Sequence, residues 1–362
     1  MRKSKIENIN KKRKEITYIL LTALITSLIY RKVNPLKVNR ILLIRQDKIG
    51  DLVMTLPVIK TLRLNFPKSY IAIAVSSLTK ELIKDNPYIN EIIVYDSEFF
   101  MHKKSNLKYK LSFMNLVKSK DFDLVINMRA DFGTFLLSLF KPSKYFINWE
   151  TKNVFDIIKE RNIHKVESYL EVLNPLEPNK FSKEFFIADS ESKWVNYFLN
   201  KNKIKKFVVI HVGSGWIYRN WPKENFAKLT DWIISNKKMQ VIFVGSKDEI
   251  ELCNSIKNMM KEKPIILTGK ISLKKCASLL KRANLFIGND SGIGHISVAM
   301  GTRKIISLFG PENSIKYKPY NKKTCVIQKK MHCSPCNQFY CKHPENSCMK
   351  QIKVEDVIER IK

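Results

Sequence analysis

The sequence predicts an α/β protein built from two doubly wound, parallel-sheet halves. Three observations carry this. At 362 residues the chain is long enough for two domains at roughly 150 residues each. Short, continuous apolar runs of the kind buried on both faces of a parallel sheet alternate with stretches of helical periodicity. A proline-rich break, Asn174-Pro175-Leu176-Glu177-Pro178-Asn179, divides two such series. The resulting partition is an amino-terminal segment 1–35, a first half 36–175, a second half 180–330 and a tail 331–362.

Residues 1–14 are strongly basic, and the apolar run Ile16 to Tyr30 follows, closed by Arg31 and Lys32. Fifteen helical residues rise about 22 Å, short of the roughly 30 Å hydrocarbon core. The flank Leu28-Ile29-Tyr30-Arg31-Lys32 offers no small-x-small cleavage site. The segment is expected to be a cation-flanked helix lying on an anionic inner leaflet, with a buried helix or a signal segment as the competing readings.

In the first half the expected strands are Arg40–Ile44, Tyr70–Val75, Glu91–Tyr95 and Asp123–Asn127. Leu52, Leu56, Ile59, Leu62 and Phe66 recur at helical spacing after the first strand, with Pro57 inside that helix. In the second half the expected strands are Phe207–Val212, Gln240–Val244, Pro264–Leu267, Asn284–Gly288 and Lys304–Phe309. Val354–Ile361 reads as a terminal helix. Right-handed crossovers then place any ligand at the carboxyl ends of the strands.

Composition narrows the function classes. Hydrophobic residues at 44% and charged residues at 27% exclude disorder and multispan membrane classes. The 65 Lys+Arg against 33 Asp+Glu give a net charge of +32, which favours anionic partners. Only 12 of the basic residues are Arg and the Lys excess is spread along the chain, unlike a clustered, Arg-rich nucleic-acid face. No nucleic-acid partner is expected.

Four loops follow strands where a ligand belongs. In Arg45-Gln46-Asp47-Lys48-Ile49-Gly50-Asp51, Gly50 permits close backbone approach, and Asp51 is either a helix cap or a carboxylate able to take a proton from a substrate hydroxyl. His211-Val212-Gly213-Ser214-Gly215, with Arg219-Asn220-Trp221-Pro222 after it, offers backbone N–H groups and a cation for phosphate oxygens, or a simple turn. In Val244-Gly245-Ser246-Lys247-Asp248-Glu249 the acids either meet ribose hydroxyls or cap the next helix. Asn289-Asp290-Ser291-Gly292-Ile293-Gly294-His295 leads from a strand into a helix whose uncapped N–H groups suit a diphosphate without a metal.

Seven cysteines include Cys333, Cys336, Cys341 and Cys348 within the tail. Their spacing allows a four-thiolate structural zinc, reduced packing cysteines or a redox role. The distribution is not that of a secreted disulfide scaffold, so a reducing, cytoplasmic compartment is expected.

Taken in order, Ile41–Arg45 with Ile49-Gly50-Asp51 and Thr55-Leu56-Pro57, Arg219-x-Trp221-Pro222, Gly288–Gly292 with His295, and Leu308-Phe309-Gly310-Pro311 resemble glycosyltransferase family 9, the ADP-heptose:lipopolysaccharide heptosyltransferases. The resemblance covers about residues 40–320. It implies a GT-B fold, two Rossmann-like domains facing across a cleft, and inverting, metal-independent transfer from a nucleotide sugar such as ADP-heptose to a lipid-anchored saccharide at the inner face of the cytoplasmic membrane. No catalytic cofactor is implied. It makes Asp51 the general base, and Arg219, standing where members often have Lys, the diphosphate clamp. Asp290, Ser291, Gly292 and His295 become the donor cradle, with Gly213 and Ser214 beside it and Asp248 or Glu249 at the ribose. Arg45, Gly50 and His164, the last in a His-x-Val-Glu stretch with Glu167, fall on the acceptor side. Asp121-Phe122-Asp123 has the Asp-x-Asp form of a different glycosyltransferase fold, but its place before a strand reads as a turn.

Overall fold

The computed structural model describes residues 32–96, 107–129, 132–149, 161–336 and 340–362, together with Thr17, Leu21 and Leu24. The expected amino-terminal helix lies almost wholly outside the described residues. The chain forms two compact units, one ending at Phe186 and the other beginning at Ile187.

The first unit runs β1 (Arg40–Arg45), α1 (Ile49–Asn65), β2 (Tyr70–Val75), α2 (Lys80–Ile83), β3 (Glu91–Val94), α3 (Leu107–Ser119), β4 (Leu124–Asn127), α4 (Phe132–Leu139), β5 (Tyr145–Asn148) and α5 (Lys165–Leu170). Its sheet has the order β3-β2-β1-β4-β5, and all of its strand pairs are parallel. The apolar run of β1 is fully interior, with Ile41 to Ile44 at 0% exposure. The central position of β1 is the reason: both faces of it are covered. Helix α1 is buried nearly all round, from Leu52 to Ile59 without a break, rather than along the single stripe that the Leu spacing predicts. It continues through Pro57. Asp121 adopts a left-handed turn conformation, φ 47°. Asp123 accepts hydrogen bonds from the Asn39 and Arg40 amides at 2.8 and 2.9 Å. The Asp-x-Asp segment is therefore a turn that ties β4 to the start of β1.

The second unit runs α6 (Ser192–Lys201), β6 (Phe207–His211), α7 (Lys223–Lys237), β7 (Gln240–Val244), α8 (Ile250–Asn258), β8 (Ile265–Ile266), α9 (Leu273–Arg282), β9 (Leu285–Asn289), α10 (Gly292–Ala299), β10 (Ile305–Phe309), α11 (Ser314–Tyr317), β11 (Thr324–Gln328) and α12 (Val354–Ile361). The order β11-β10-β9-β6-β7-β8 is, counted from β6, the 3-2-1-4-5-6 order of a dinucleotide-binding sheet. Its core joins β6, β7, β9 and β10 to α7 and α12 through Val208, Ile210, Phe226, Phe243, Ile287, Leu308 and Val357. The chain reverses direction of strand addition between β1 and β4 in one unit and between β6 and β9 in the other. Ligands of open α/β sheets bind at such points, which here are flanked by the loops after β1, β6 and β9.

Candidate functional site

At the end of β1, Arg45 is 1% exposed. Its guanidinium donates to the Met128 carbonyl at 2.7 Å, pairs with Asp47 at 3.1 Å and reaches Asp51 Oδ1 at 3.2 Å. It also donates to the Tyr169 hydroxyl and lies 4.4 Å from the centre of that ring. Burial opposes the Arg45 charge, but Tyr169, Asp47 and Asp51 outweigh it and hold its pKa above the ordinary value. The Tyr169 hydroxyl donates in turn to Asp51 Oδ1 at 3.1 Å. Asp51 stands in the first turn of α1, whose N-cap is Lys48, so it is not itself the cap residue of that helix. The carboxylate is thus gripped at Oδ1 by two donors while remaining 33% exposed.

Gly50 lies beside it in that turn. His164 is 8% exposed and its Nδ1 accepts from the Val166 amide at 3.1 Å, capping α5, the helix that carries Tyr169. Glu167 pairs with Lys183 at 2.7 Å. Tyr169 is a candidate site residue that the sequence pattern does not reveal, because it reaches Asp51 across 118 residues. The one signal was its place just after the His164–Glu167 stretch.

In the second unit the donor-type loops converge. Arg219 pairs with Asp290 and with Glu312, both at 2.7 Å, so its cation is held between two carboxylates. Asn289 is buried at the end of β9; its amide donates to the Val212 carbonyl at 2.7 Å and its carbonyl accepts from Trp221 N at 3.1 Å. Trp221, of the Trp-Pro pair, donates from its indole to the Ile352 carbonyl at 2.8 Å and packs edge-on to Phe226. These contacts lock the loops after β6 and β9 together. Ser214 folds its own loop, its hydroxyl lying 2.6 Å from the Trp216 carbonyl and 2.7 Å from Asn220 Oδ1.

Gly292 opens α10, and His295 is buried in it. Ser291 occupies the N-cap position of α10 but makes no cap bond. Its hydroxyl sits 2.9 Å from His211 Nδ1, and His211 Nε2 sits 3.2 Å from Glu249. The first-turn N–H groups of α10 therefore keep their positive end uncapped by a side chain, an arrangement suited to an anion.

Of the two acids after β7, Asp248 is exposed and Glu249 is drawn in. Glu249 does take part in a capping box, accepting from the Ser246 amide at 2.7 Å. Burial pushes its pKa up, but His211 and Ser246 outweigh this and hold it below the usual carboxylate range. The carboxylate nests against two glycines: a Cβ on Gly213 would fall 1.6 Å from Glu249 Oε1, and one on Gly245 2.4 Å from Oε2. Both positions are glycine because this carboxylate occupies the space of a side chain.

Cys333, Cys336, Cys341 and Cys348 line a cavity of about 250 Å³ together with Tyr218 and Pro311. All seven cysteines are free thiols. Burial pushes the Cys348 thiol up, and the neighbouring Cys336, Cys341 and Cys333 push it the same way. Among the described residues no group of three or more His, Cys, Asp or Glu is placed to hold a metal. As placed, then, the four sulfurs wall a cavity and do not form a zinc shell. No helix of the described residues is long and apolar enough to cross a membrane.

The two units are Rossmann-like α/β folds, one carrying a carboxylate held by two donors and the other a helix terminus without a side-chain cap beside an arginine. The sequence model of glycosyltransferase family 9 (heptosyltransferase) matches residues 111–346, and the chain belongs to that family. It is a glycosyltransferase with the GT-B fold. Lipopolysaccharide heptosyltransferase 3 of Escherichia coli K12 is 28% identical over 286 residues, covering 75% of this chain and 82% of that protein. The family 9 glycosyl transferase of Veillonella parvula superposes with a TM-score of 0.75 at 24% identity, covering 91% of this chain and 97% of that one. The E. coli heptosyltransferase WaaC with ADP-2-deoxy-2-fluoro heptose superposes with a TM-score of 0.65 at 18% identity, covering 89% and 98%.

Proposed function

We propose that this glycosyltransferase moves a heptose, with inversion and without a metal, from ADP-heptose to a lipopolysaccharide-core or related glycan. The observation that carries the reading is the Asp51 carboxylate, fixed at one oxygen by Arg45 and Tyr169. A base so held keeps its second oxygen for a substrate hydroxyl. Asp51 takes the acceptor O–H proton as that oxygen attacks the anomeric carbon. The bond from the anomeric carbon to the diphosphate breaks, and its electron pair leaves with the nucleotide.

The charge that develops on the diphosphate is met in the second unit by the α10 N-terminus, Ser291, Gly292, His295 and Arg219. Asp290 and Glu312 keep Arg219 in place. Metal independence is part of the proposal: the α10 N-terminus offers N–H groups to the diphosphate, and Asp290 and Glu312 are already engaged by Arg219. Glu249 takes the ribose hydroxyls, with Gly213 and Ser214 along the diphosphate, and Arg45, Gly50 and His164 support the acceptor side. The heptosyl donor is favoured by the family and by the ligand of the E. coli structure.

The proposal extends to a peripheral place on the inner face of the cytoplasmic membrane, supported by the +32 charge and the basic residues 1–14. Truncation of residues 1–33 should release the protein from anionic vesicles while a soluble acceptor is still glycosylated.

The donor is tested by calorimetric titration with ADP, UDP and GDP, with and without magnesium. Selective, magnesium-independent ADP binding is expected. Preference for UDP or GDP would keep the fold and overturn the donor.

A further inference from the structure

Glu249, His211 and Ser291 of the second unit form a line in which the transfer scheme gives His211, the last residue of β6, no part. Glu249 Oε1 and Oε2 lie 3.2 and 3.3 Å from His211 Nε2, and His211 Nδ1 lies 2.9 Å from Ser291 Oγ. His211 is 6% exposed. An ionised carboxylate only accepts hydrogen bonds, so Nε2 must carry a hydrogen. In a neutral imidazole Nδ1 is then an acceptor, and Ser291 gives its single hydroxyl proton to it. That orientation turns a serine lone pair toward any anion at the α10 terminus. A pyrophosphate needs the opposite: the Ser291 proton pointing at it, with Nδ1 carrying a hydrogen of its own.

We propose that His211 is a positioning residue of the donor site, which becomes doubly protonated when a nucleotide pyrophosphate binds and so turns the Ser291 hydroxyl into a donor to it. The inference rests on the reading of Ser291 as a pyrophosphate contact. The balance is simple: one proton enters from solvent at Nδ1, the Nε2–H bond to Glu249 is retained, and no covalent bond changes. A doubly protonated ring donates from Nε2 to the Glu249 carboxylate and from Nδ1 to Ser291 Oγ, which leaves the serine proton for the ligand.

The charged and polar partners of His211 among the described residues come from the loops that follow the neighbouring strands. The loop after β7 brings Glu249. The loop after β9 brings Ser291, with the adjacent Asp290 already paired to Arg219 at 2.7 Å, and His295 lies one turn into α10.

The test is titration calorimetry with ADP-ribose, a pyrophosphate diester whose phosphates do not titrate near neutrality, at about pH 8, where an ordinary histidine is mostly neutral. Run in Tris and in HEPES, the difference in heat reports protons exchanged. Wild type should take up roughly half to one proton per ADP-ribose bound. His211→Gln, whose amide can bond at both ends without titrating, should bind within a few-fold of wild type and take up none. His211→Ala should bind about ten-fold more weakly, and Ser291→Ala should also abolish uptake. Equal heats in both buffers for a wild-type protein that binds would overturn the relay, as would unchanged uptake in His211→Gln, which would move the proton to another group such as His295. Failure of wild type to bind ADP-ribose at all would overturn the ADP-sugar reading of the donor site, and the relay with it. A purely structural His211 would shift the melting temperature and leave the proton count alone.

Discussion

Replacing Tyr169 with Phe removes one oxygen from the grip on Asp51 and leaves the rest of the packing in place. The Tyr169 ring is 2% exposed, stacks edge-on to Trp149 at 4.8 Å and lies under the Arg45 guanidinium, all of which a phenyl ring preserves. What goes is the donor to Asp51 Oδ1 at 3.1 Å and the acceptor for Arg45. A hydrogen bond to a charged group is worth about 1.5–3 kcal/mol. Arg45 keeps its bonds to Met128, Asp47 and Asp51, so the lower end applies, and the melting temperature should fall by about 3–6 °C. With one donor fewer, the Asp51 carboxylate turns more freely and kcat should fall by about ten-fold, or ~1.4 kcal/mol of barrier. The donor KM should hold, because the nucleotide contacts belong to the other unit. Steady-state transfer kinetics beside a thermal melt give all three quantities. A lower melting temperature with kcat unchanged would refute the reasoning and reduce Tyr169 to a packing residue.

Two further outcomes follow from the Glu249 nest. Gly213→Ala would place a methyl 1.6 Å from Glu249 Oε1, forcing the carboxylate off His211; the donor KM should rise by about ten-fold, and Gly213→Ala with Glu249→Gln together should be little worse than either alone, as a double-mutant kinetic cycle would show. Because the Glu249 pKa is depressed below its ordinary 4.5, its ionised form stabilises the folded state above that pH, and the contribution is lost as pH falls through the lower folded value. The melting-temperature gap between wild type and Glu249→Gln should therefore narrow in acid, below about pH 4.5; a gap that widens there would reverse the sign of the assigned interaction.

Much of the fold is legible in the chain because parallel strands buried on both faces leave unbroken apolar runs. Tyr70–Val75 and Gln240–Val244 stand in the structure with the bounds that the sequence predicts. Two strands escape the pattern for physical reasons. β5 is only four residues long, Tyr145–Asn148, and carries two aromatics and an Asn rather than a β-branched run. β11, Thr324–Gln328, is an edge strand that pairs with β10 alone and is mostly half-buried, so its composition is mixed. The shift of Asn284–Gly288 to Leu285–Asn289 matters more, since it brings Asn289 into the sheet edge where its side chain ties two loops.

At the site, Asp51 and the Asn289–His295 loop are visible as local motifs. The partners that orient them are not. Tyr169, Glu312 and the His211 relay are set by strand order, which brings together segments that are far apart in sequence. The choice between Asp248 and Glu249 is likewise tertiary: only the second reaches His211, and the capping-box spacing from Ser246 is the one local hint.

In the proposed transfer Asp51 takes the acceptor proton and does not hold the donor. The direct measurement compares Asp51→Asn with wild type in two readouts on the same protein, calorimetric ADP affinity and heptosyl transfer from ADP-heptose. The amide keeps the shape but accepts no proton, so transfer should fall by about 10²–10⁴-fold while ADP affinity stays within about two-fold. Transfer retained near the wild-type rate, or ADP affinity lost in the same proportion as transfer, would contradict the account.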